Sequence, residues 1–256
     1  MPMRNEIVLC ATGKAGLDVA QYLAHRSEDR IASLYLSKNC PFSSQIREAA
    51  KVPNEKVIWA SQLREPEHIR TFANLSFDYL ITVYWPNLIT PAVFGRARRG
   101  TVNFHPALLP INQGWYPHVH SLIDGSPAGV TLHAIDSGVD TGPVWAQETV
   151  EVLPTDTAKT LYDRLVLTIV RLFLETWPKI TQGELTPEPQ DLHRAVYHGK
   201  QDAVFLDSID PNAVFRAKDL IDRLRARSFG NKGFAYIVEG GKRIYLNLRL
   251  GDSLNF

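Results

Sequence analysis

At 256 residues, with a hydrophobic share of 45% and a charged share of 21%, the chain has the makeup of a soluble globular protein with one sizeable core and a smaller appended unit. A formal net charge of +1 and the lack of a long basic run weigh mildly against a nucleic-acid partner, leaving only a local patch hidden in the average. Cys10 and Cys40 do not suffice for a disulfide framework, no Cys/His spacing resembles a zinc site, and no apolar run has the length of a membrane-spanning helix.

The opening, MPMRNEIVLCATGKAG, lacks the apolar stretch of a secretion signal. A cytoplasmic, reduced protein without a membrane or nucleic-acid partner is expected. EIVLCA at 6–11 reads as a short buried strand that ends in the turn TGKAG, and a helical pattern then runs to about residue 26. IASLYL at 31–36 is the next strand, a helical stretch covers 43–51, and KVIWA at 56–60 is a third strand. Residues 66–74 read as helical and FDYLITVY at 77–84 as a strongly buried strand; TVNF at 101–104 follows a short turn of helix. Continuous apolar strands separated by helices predict an α/β protein, a parallel sheet with helices on both faces.

GVTLHAID at 129–136 and PVWAQETVEV at 143–152 are predicted strands that flank a glycine-rich loop. A long helix is predicted from about Thr157 to Thr181, and the polar GELTPEPQDLHR at 183–194, with two prolines, reads as a linker. Residues 195–256 have their own α+β pattern. A helix lies near 213–227, then FAYIVE and RIYLNL flank GGK as a hairpin with a primed turn. The division expected is 1–182, the linker 183–194, and a small subdomain 195–256.

Asn103 and His105 are two apart, so in a strand both side chains face one way. Pro106 then turns the chain out of the ladder. Open parallel sheets bind ligands at the carboxyl ends of their strands, where this pair falls. Asp140 stands between Gly138 and Gly142, in a segment able to turn tightly. An amide, an imidazole and a carboxylate are the parts needed for acyl transfer to an amine.

Other motifs leave two readings open. Backbone amides of TGKAG can hold an anion, with Lys14 on a phosphate, but a plain strand-to-helix turn and a solvated lysine are favoured. In GWYPHVHSLIDG at 114–125, Trp115 and Tyr116 either stack on a sugar or base or simply pack on the core. Asp136 precedes the glycine loop and can pair with nearby donors, while Thr155 and Asp156 look like helix-cap chemistry. Arg225, within RLRARSF at 223–229, suits a pyrophosphate, although a solvated basic face is the plainer reading. HGK at 198–200 is similar.

The segments DYLITVYWPNLI, NFHPALLP, GWYPH, GVTLHAID and SGVDTGPVWAQ together resemble the catalytic core of the formyltransferases that use 10-formyltetrahydrofolate, closely over residues 77–150 and loosely across the alternating N-terminal region. The resemblance implies a Rossmann-like formyltransferase core, with 10-formyltetrahydrofolate as co-substrate and no metal. It matches Asn103, His105 and Asp140 to the family's active-site residues. It further implies that Tyr84, Trp85, Asn87, Leu88 and Ile89, with Ile135, Asp136 and Val139, line a folate pocket in which main-chain groups hold most of the pterin.

Within the family, INQGWYPH and the closing LRARSF…GFAYIVEGGKRIYLNL are most similar to the sugar-nucleotide branch. This implies a homodimer acting on a nucleotide-linked amino sugar in surface-polysaccharide (O-antigen) synthesis, with a dTDP-linked 4-amino-4,6-dideoxyhexose ahead of the 3-amino isomer. Trp115, Tyr116, His118, Lys14 and Arg225 are the expected substrate contacts. The rivals are a methionyl-tRNA formyltransferase, a Rossmann-type oxidoreductase and a non-catalytic binding module. The missing glycine fingerprint and the absence of an acidic residue at Leu36-Ser37-Lys38 count against the oxidoreductase. A binding module is expected to carry a damaged triad, and all three residues are present.

Overall fold

The structure, a computed structural model, describes residues 4–38, 40–62 and 75–251. The helix expected at 66–74 lies outside the described residues. Alternating elements open the chain as its pattern predicts: β1 (Asn5–Ala11), α1 (Gly13–His25), β2 (Asp29–Leu36), α2 (Ser43–Ala50), β3 (Val57–Trp59) and β4 (Phe77–Val83). After the one-turn α3 (Pro91–Phe94) come β5 (Ala97–His105), β6 (Gln113–Gly114), α4 (Pro117–Asp124), β7 (Gly129–His133) and β8 (Val144–Thr149).

Seven of these strands form one sheet in the order β3-β2-β1-β4-β5-β7-β8. The pairs from β3 through β5 are parallel. The terminal pair runs the other way, because Ala134 donates to the Pro143 carbonyl at one end and Val150 to that of Ala128 at the other. The sheet is thus mostly parallel, an α/β Rossmann-like core. Gly16 eases the close approach of α1 to the end of β1, since a Cβ there would stand 3.0 Å from that of Ala11.

β5 is longer than TVNF. Its opening, Ala97-Arg98-Arg99, carries two arginines, but Ala97 still pairs with Phe77 and Arg98 bonds Asp78. Side-chain polarity hid that extension from the apolar pattern. β7 is shorter than GVTLHAID because the Ile135 amide leaves the ladder and donates to Thr101 Oγ1 at 2.6 Å.

Contacts divide the chain into two compact units, each drawn from three stretches: Met1–His105, Leu132–Ala146 and Ile169–Gln190 in one, and Pro106–Thr131, Gln147–Thr168 and Asp191–Phe256 in the other. The first has an apolar core built on the fully buried Ile7, Leu9, Leu34, Leu80 and Ile81. The long helix α5 (Ala158–Gln182) adds Phe173 and Trp177, whose rings meet Phe104 at 5.0 Å and Tyr79 at 4.8 Å. Asp29, fully buried, accepts from Asn5, Arg26 and Trp177, so its carboxylate is compensated. The polar stretch after α5 does not hang free: Glu188 and Val144 exchange both backbone bonds, at 2.8 and 2.7 Å.

In the second unit Asn112 ties α4 and its exit together, donating to Ser121 at 3.1 Å and Ser126 at 2.9 Å. Further elements are β9 (Tyr197–His198), α6 (Lys200–Phe205), α7 (Ala217–Ala226), the short pair β10 (Ser228–Phe229) and β11 (Lys232–Gly233), and the hairpin β12 (Tyr236–Glu239) with β13 (Lys242–Tyr245). Its turn has Gly240 at φ +55° and Gly241 at φ +75°, the left-handed pair a primed turn needs.

Candidate active site

β5 ends with strict alternation. Phe104 turns into the core against Phe173, so Asn103 and His105 share the opposite face. Asp140 reaches the same place from the loop after β7. Its Oδ2 lies 3.4 Å from His105 Nδ1, and its Oδ1 lies 3.5 Å from Asn103 Nδ2. Asp140 adopts φ +55°, a left-handed conformation uncommon for a residue with a side chain. The loop enforces it. Asp136 Oδ1 accepts from the Gly138 amide at 3.0 Å and from Thr141 Oγ1 at 2.7 Å. A side chain at Gly142 would run into the Ala134 carbonyl.

Three further residues, absent from the sequence expectations, complete the arrangement. His133, the last residue of β7, has Nε2 2.9 Å from Asn103 Nδ2 and 3.5 Å from Asp140 Oδ1. Thr82 Oγ1 donates to Asn103 Oδ1 at 2.5 Å. Gln190 donates to the Asp140 and Gly142 carbonyls. A polar residue at the carboxyl end of a buried strand was the available signal for His133 and Thr82.

A cleft of about 320 Å³ opens beside Asn103, His133 and Asp140. Trp85, Asn87, Leu88, Ile89, Ile135, Asp136 and Val139 line it, so seven of the eight residues expected around a folate line this one cleft. Tyr84 is not among them: at φ +49°, its carbonyl accepts from Thr12 Oγ1 at 2.8 Å. Leu88 is 84% exposed, an apolar side chain offered at the rim rather than packed away.

The five expected substrate contacts are not gathered in this cleft. Lys14, in the first unit, pairs with Asp18 one turn along α1. The other four lie in the second unit. Trp115 is half-exposed, with the Lys200 ammonium 5.4 Å over its ring and Tyr116 beside it at 5.7 Å. His118 is buried against the rings of Tyr162 and Phe229, which makes it part of that unit's core. Arg225 is 2.8 Å from Asp222 and donates to the Leu153 and Pro154 carbonyls, so its charge serves a local structural role. Among the described residues there is no group of three His, Cys, Asp or Glu able to hold a metal ion, and no helix is long and apolar enough to cross a membrane.

Residues 5–175 match the family model described as Formyl transferase. The chain belongs to the formyl transferase family. Residues 202–252 match a second model, the N-formyltransferase dimerization C-terminal domain. The methionyl-tRNA formyltransferase of Synechococcus sp. (strain JA-3-3Ab) is 34% identical over 135 residues, which are 52% of this chain and 42% of that relative. The chain spans about half the length of the curated relatives it matches. Among solved structures, the formyl transferase chain superposes on a 4-N formyltransferase from Francisella tularensis with a TM-score of 0.85 at 20% identity, over 97% of this chain and 99% of that one. A formyltransferase from Anoxybacillus kamchatkensis, solved with UDP-4,6-dideoxy-4-formamido-L-AltNAc and tetrahydrofolate, gives a TM-score of 0.59 at 26% identity, over 86% and 98% of the two chains.

Proposed function

We propose that this protein transfers the formyl group of 10-formyltetrahydrofolate to the amine of a nucleotide-linked amino sugar. One observation carries the reading: Asn103, His105 and Asp140 converge beside a cleft lined by both apolar and polar residues. A flat heterocycle suits such a space. Trp85, Ile89 and Val139 offer its faces apolar contact, and the main chain of 135–140 offers its edges hydrogen bonds.

The residues then divide the work. Asn103 Nδ2–H donates to the formyl oxygen, which gains negative charge as the neutral amine forms its bond to the formyl carbon; a preorganised donor of this kind is worth about 3 kcal/mol. His105 takes the proton the amine must lose, and Asp140 stabilises the imidazolium. The proton is delivered to the folate nitrogen as its bond to the formyl carbon breaks, leaving a formamide and tetrahydrofolate.

The choice of acceptor is supported by the sugar-like GWYPH segment and by the sugar-nucleotide held by the Anoxybacillus enzyme. A dTDP-linked 4-amino-4,6-dideoxyhexose leads, for use in surface-polysaccharide synthesis in the cytoplasm. The match over residues 202–252 supports a homodimer. The 34% identity to a methionyl-tRNA formyltransferase favours a second reading, formylation of charged initiator tRNA. A turnover panel separates them. The protein is supplied with 10-formyltetrahydrofolate and either nucleotide-linked amino sugars or initiator methionyl-tRNA at several salt concentrations, since phosphate contacts weaken steeply as salt rises. Formylated sugar is expected; formylated methionyl-tRNA alone would replace the sugar reading.

A further inference from the structure

We propose that Thr82 is a positioning residue that holds the Asn103 carboxamide in the orientation His133 selects. The inference rests on the reading of Asn103 as donor to the formyl oxygen.

Four residues, His133, Ala134, Asn103 and Thr82, form one hydrogen-bonded chain. His133 Nδ1 lies 2.7 Å from the Ala134 carbonyl, which can only accept, so the ring proton sits on Nδ1. In the neutral ring Nε2 is then a bare acceptor. The Asn103 group 2.9 Å from it must be the NH2. Asn103 Oδ1 therefore faces away, 2.5 Å from Thr82 Oγ1, and the Thr82 hydroxyl must donate to it. Thr82 and Asn103 are register partners on β4 and β5, so the side chains stand side by side, and Thr82 is only 2% exposed. No water replaces the hydroxyl easily in such a place.

The second Asn103 N–H is left for an incoming group. Its nearest partner, Asp140 Oδ1, is at 3.5 Å, the outer edge of hydrogen-bond range. That N–H is held towards the carboxylate side of the site while being only weakly engaged. An incoming oxygen can claim it without breaking a good bond. In a flipped carboxamide, Oδ1 would confront the bare nitrogen of His133 and the donor would be turned away. Thr82 supports the orientation that His133 selects, because among the described residues its hydroxyl is the group that donates to Oδ1 there, and fixing Oδ1 fixes the plane of the amide.

The test compares Thr82→Val, which keeps the branched shape without the hydroxyl, with Thr82→Ser, which keeps the hydroxyl without the methyl. Thr82→Val is expected to lower kcat roughly tenfold, less than outright loss of a donor does, with KM for 10-formyltetrahydrofolate unchanged. Thr82→Ser is expected to recover most of the rate. Wild-type kcat in Thr82→Val, or equal losses in the two variants, would overturn the proposal. Side-chain nitrogen NMR of the unliganded protein gives a readout independent of turnover. His133 protonated on Nδ1, with an Asn103 carboxamide signal that moves in Thr82→Val and not in Thr82→Ser, supports the proposal; His133 protonated on Nε2 overturns it. Should the wild type formylate no acceptor, the functional reading fails and the NMR result still judges the positioning role.

Discussion

Gln190 holds Asp140 by its main chain. Its one amide nitrogen donates to the Asp140 carbonyl at 2.8 Å and to that of Gly142 at 2.6 Å, pinning the turn that begins at Asp140, the residue at φ +55°. Left-handed backbone at a residue with a side chain persists when its surroundings over-determine it. Displacing a reacting group by about 1 Å can cost on the order of 100-fold in rate, so Gln190→Ala is expected to lower kcat ten- to a hundredfold. Gln190→Glu, with no N–H to give, should fall as far. Steady-state kinetics beside a melting curve check this; unchanged kcat in both variants would show that the loop holds Asp140 unaided.

The division of labour among the three central residues is tested by removing each function in turn. Asn103→Ala is expected to lose about 10²–10³ in kcat, the usual effect of deleting an oxyanion donor. His105→Ala and Asp140→Asn should lose most turnover while melting like the parent, since Asp140→Asn keeps the shape and removes the charge 3.4 Å from His105 Nδ1. Near-normal rates in both of the latter would overturn their roles.

Two buried histidines predict the acid response of the second unit. Burial, then Arg227, lowers His118 from 6.5 to about 3; burial, then His198, lowers His120 from 6.5 to about 4. Among the described residues, His118 Nδ1 and His120 Nε2 have no hydrogen-bond partner. Below pH 6.5 the unfolded chain takes up protons at these positions that the folded chain does not, so stability is fully present above 6.5 and falls as pH drops towards 4. His118→Phe, which fits between Tyr162 and Phe229, should shrink that loss. Melting temperatures across the same window read it, and an unchanged slope in the variant would contradict the assignment.

Trp115 separates substrate contact from mere packing. Half-exposed, with a cation already over its ring, it is free to cover a sugar or base on its open face. Trp115→Ala should raise the KM for the amino sugar more than that for 10-formyltetrahydrofolate. Equal changes in both constants would make it a structural residue.

Asn103 and His105 were legible because period-two alternation and the following proline are local signals, and Asp140 because its glycines mark a tight turn. The hairpin at 236–245 was legible for the same reason, as Gly240-Gly241 answers one backbone need. Thr82 was hidden inside FDYLITVY, where a β-branched residue reads as strand filler. Gln190 was hidden further still. Its contact spans 50 residues, and side-chain to main-chain bonds of that separation leave no periodicity. The contrast also covers His118 and Arg225, whose residue types suggest ligand contact while burial and local pairing engage them within the fold.

The central claim is the transfer itself, carried by one pocket. Wild-type protein and Asp140→Asn are each mixed with 10-formyltetrahydrofolate and dTDP-4-amino-4,6-dideoxyglucose, and the sugar nucleotide is followed by mass. The account predicts that the sugar gains one formyl group in step with tetrahydrofolate release in the wild type, with little product from the variant. Tetrahydrofolate released as fast by the variant, or no formylated product from any nucleotide-linked amino sugar, would contradict it.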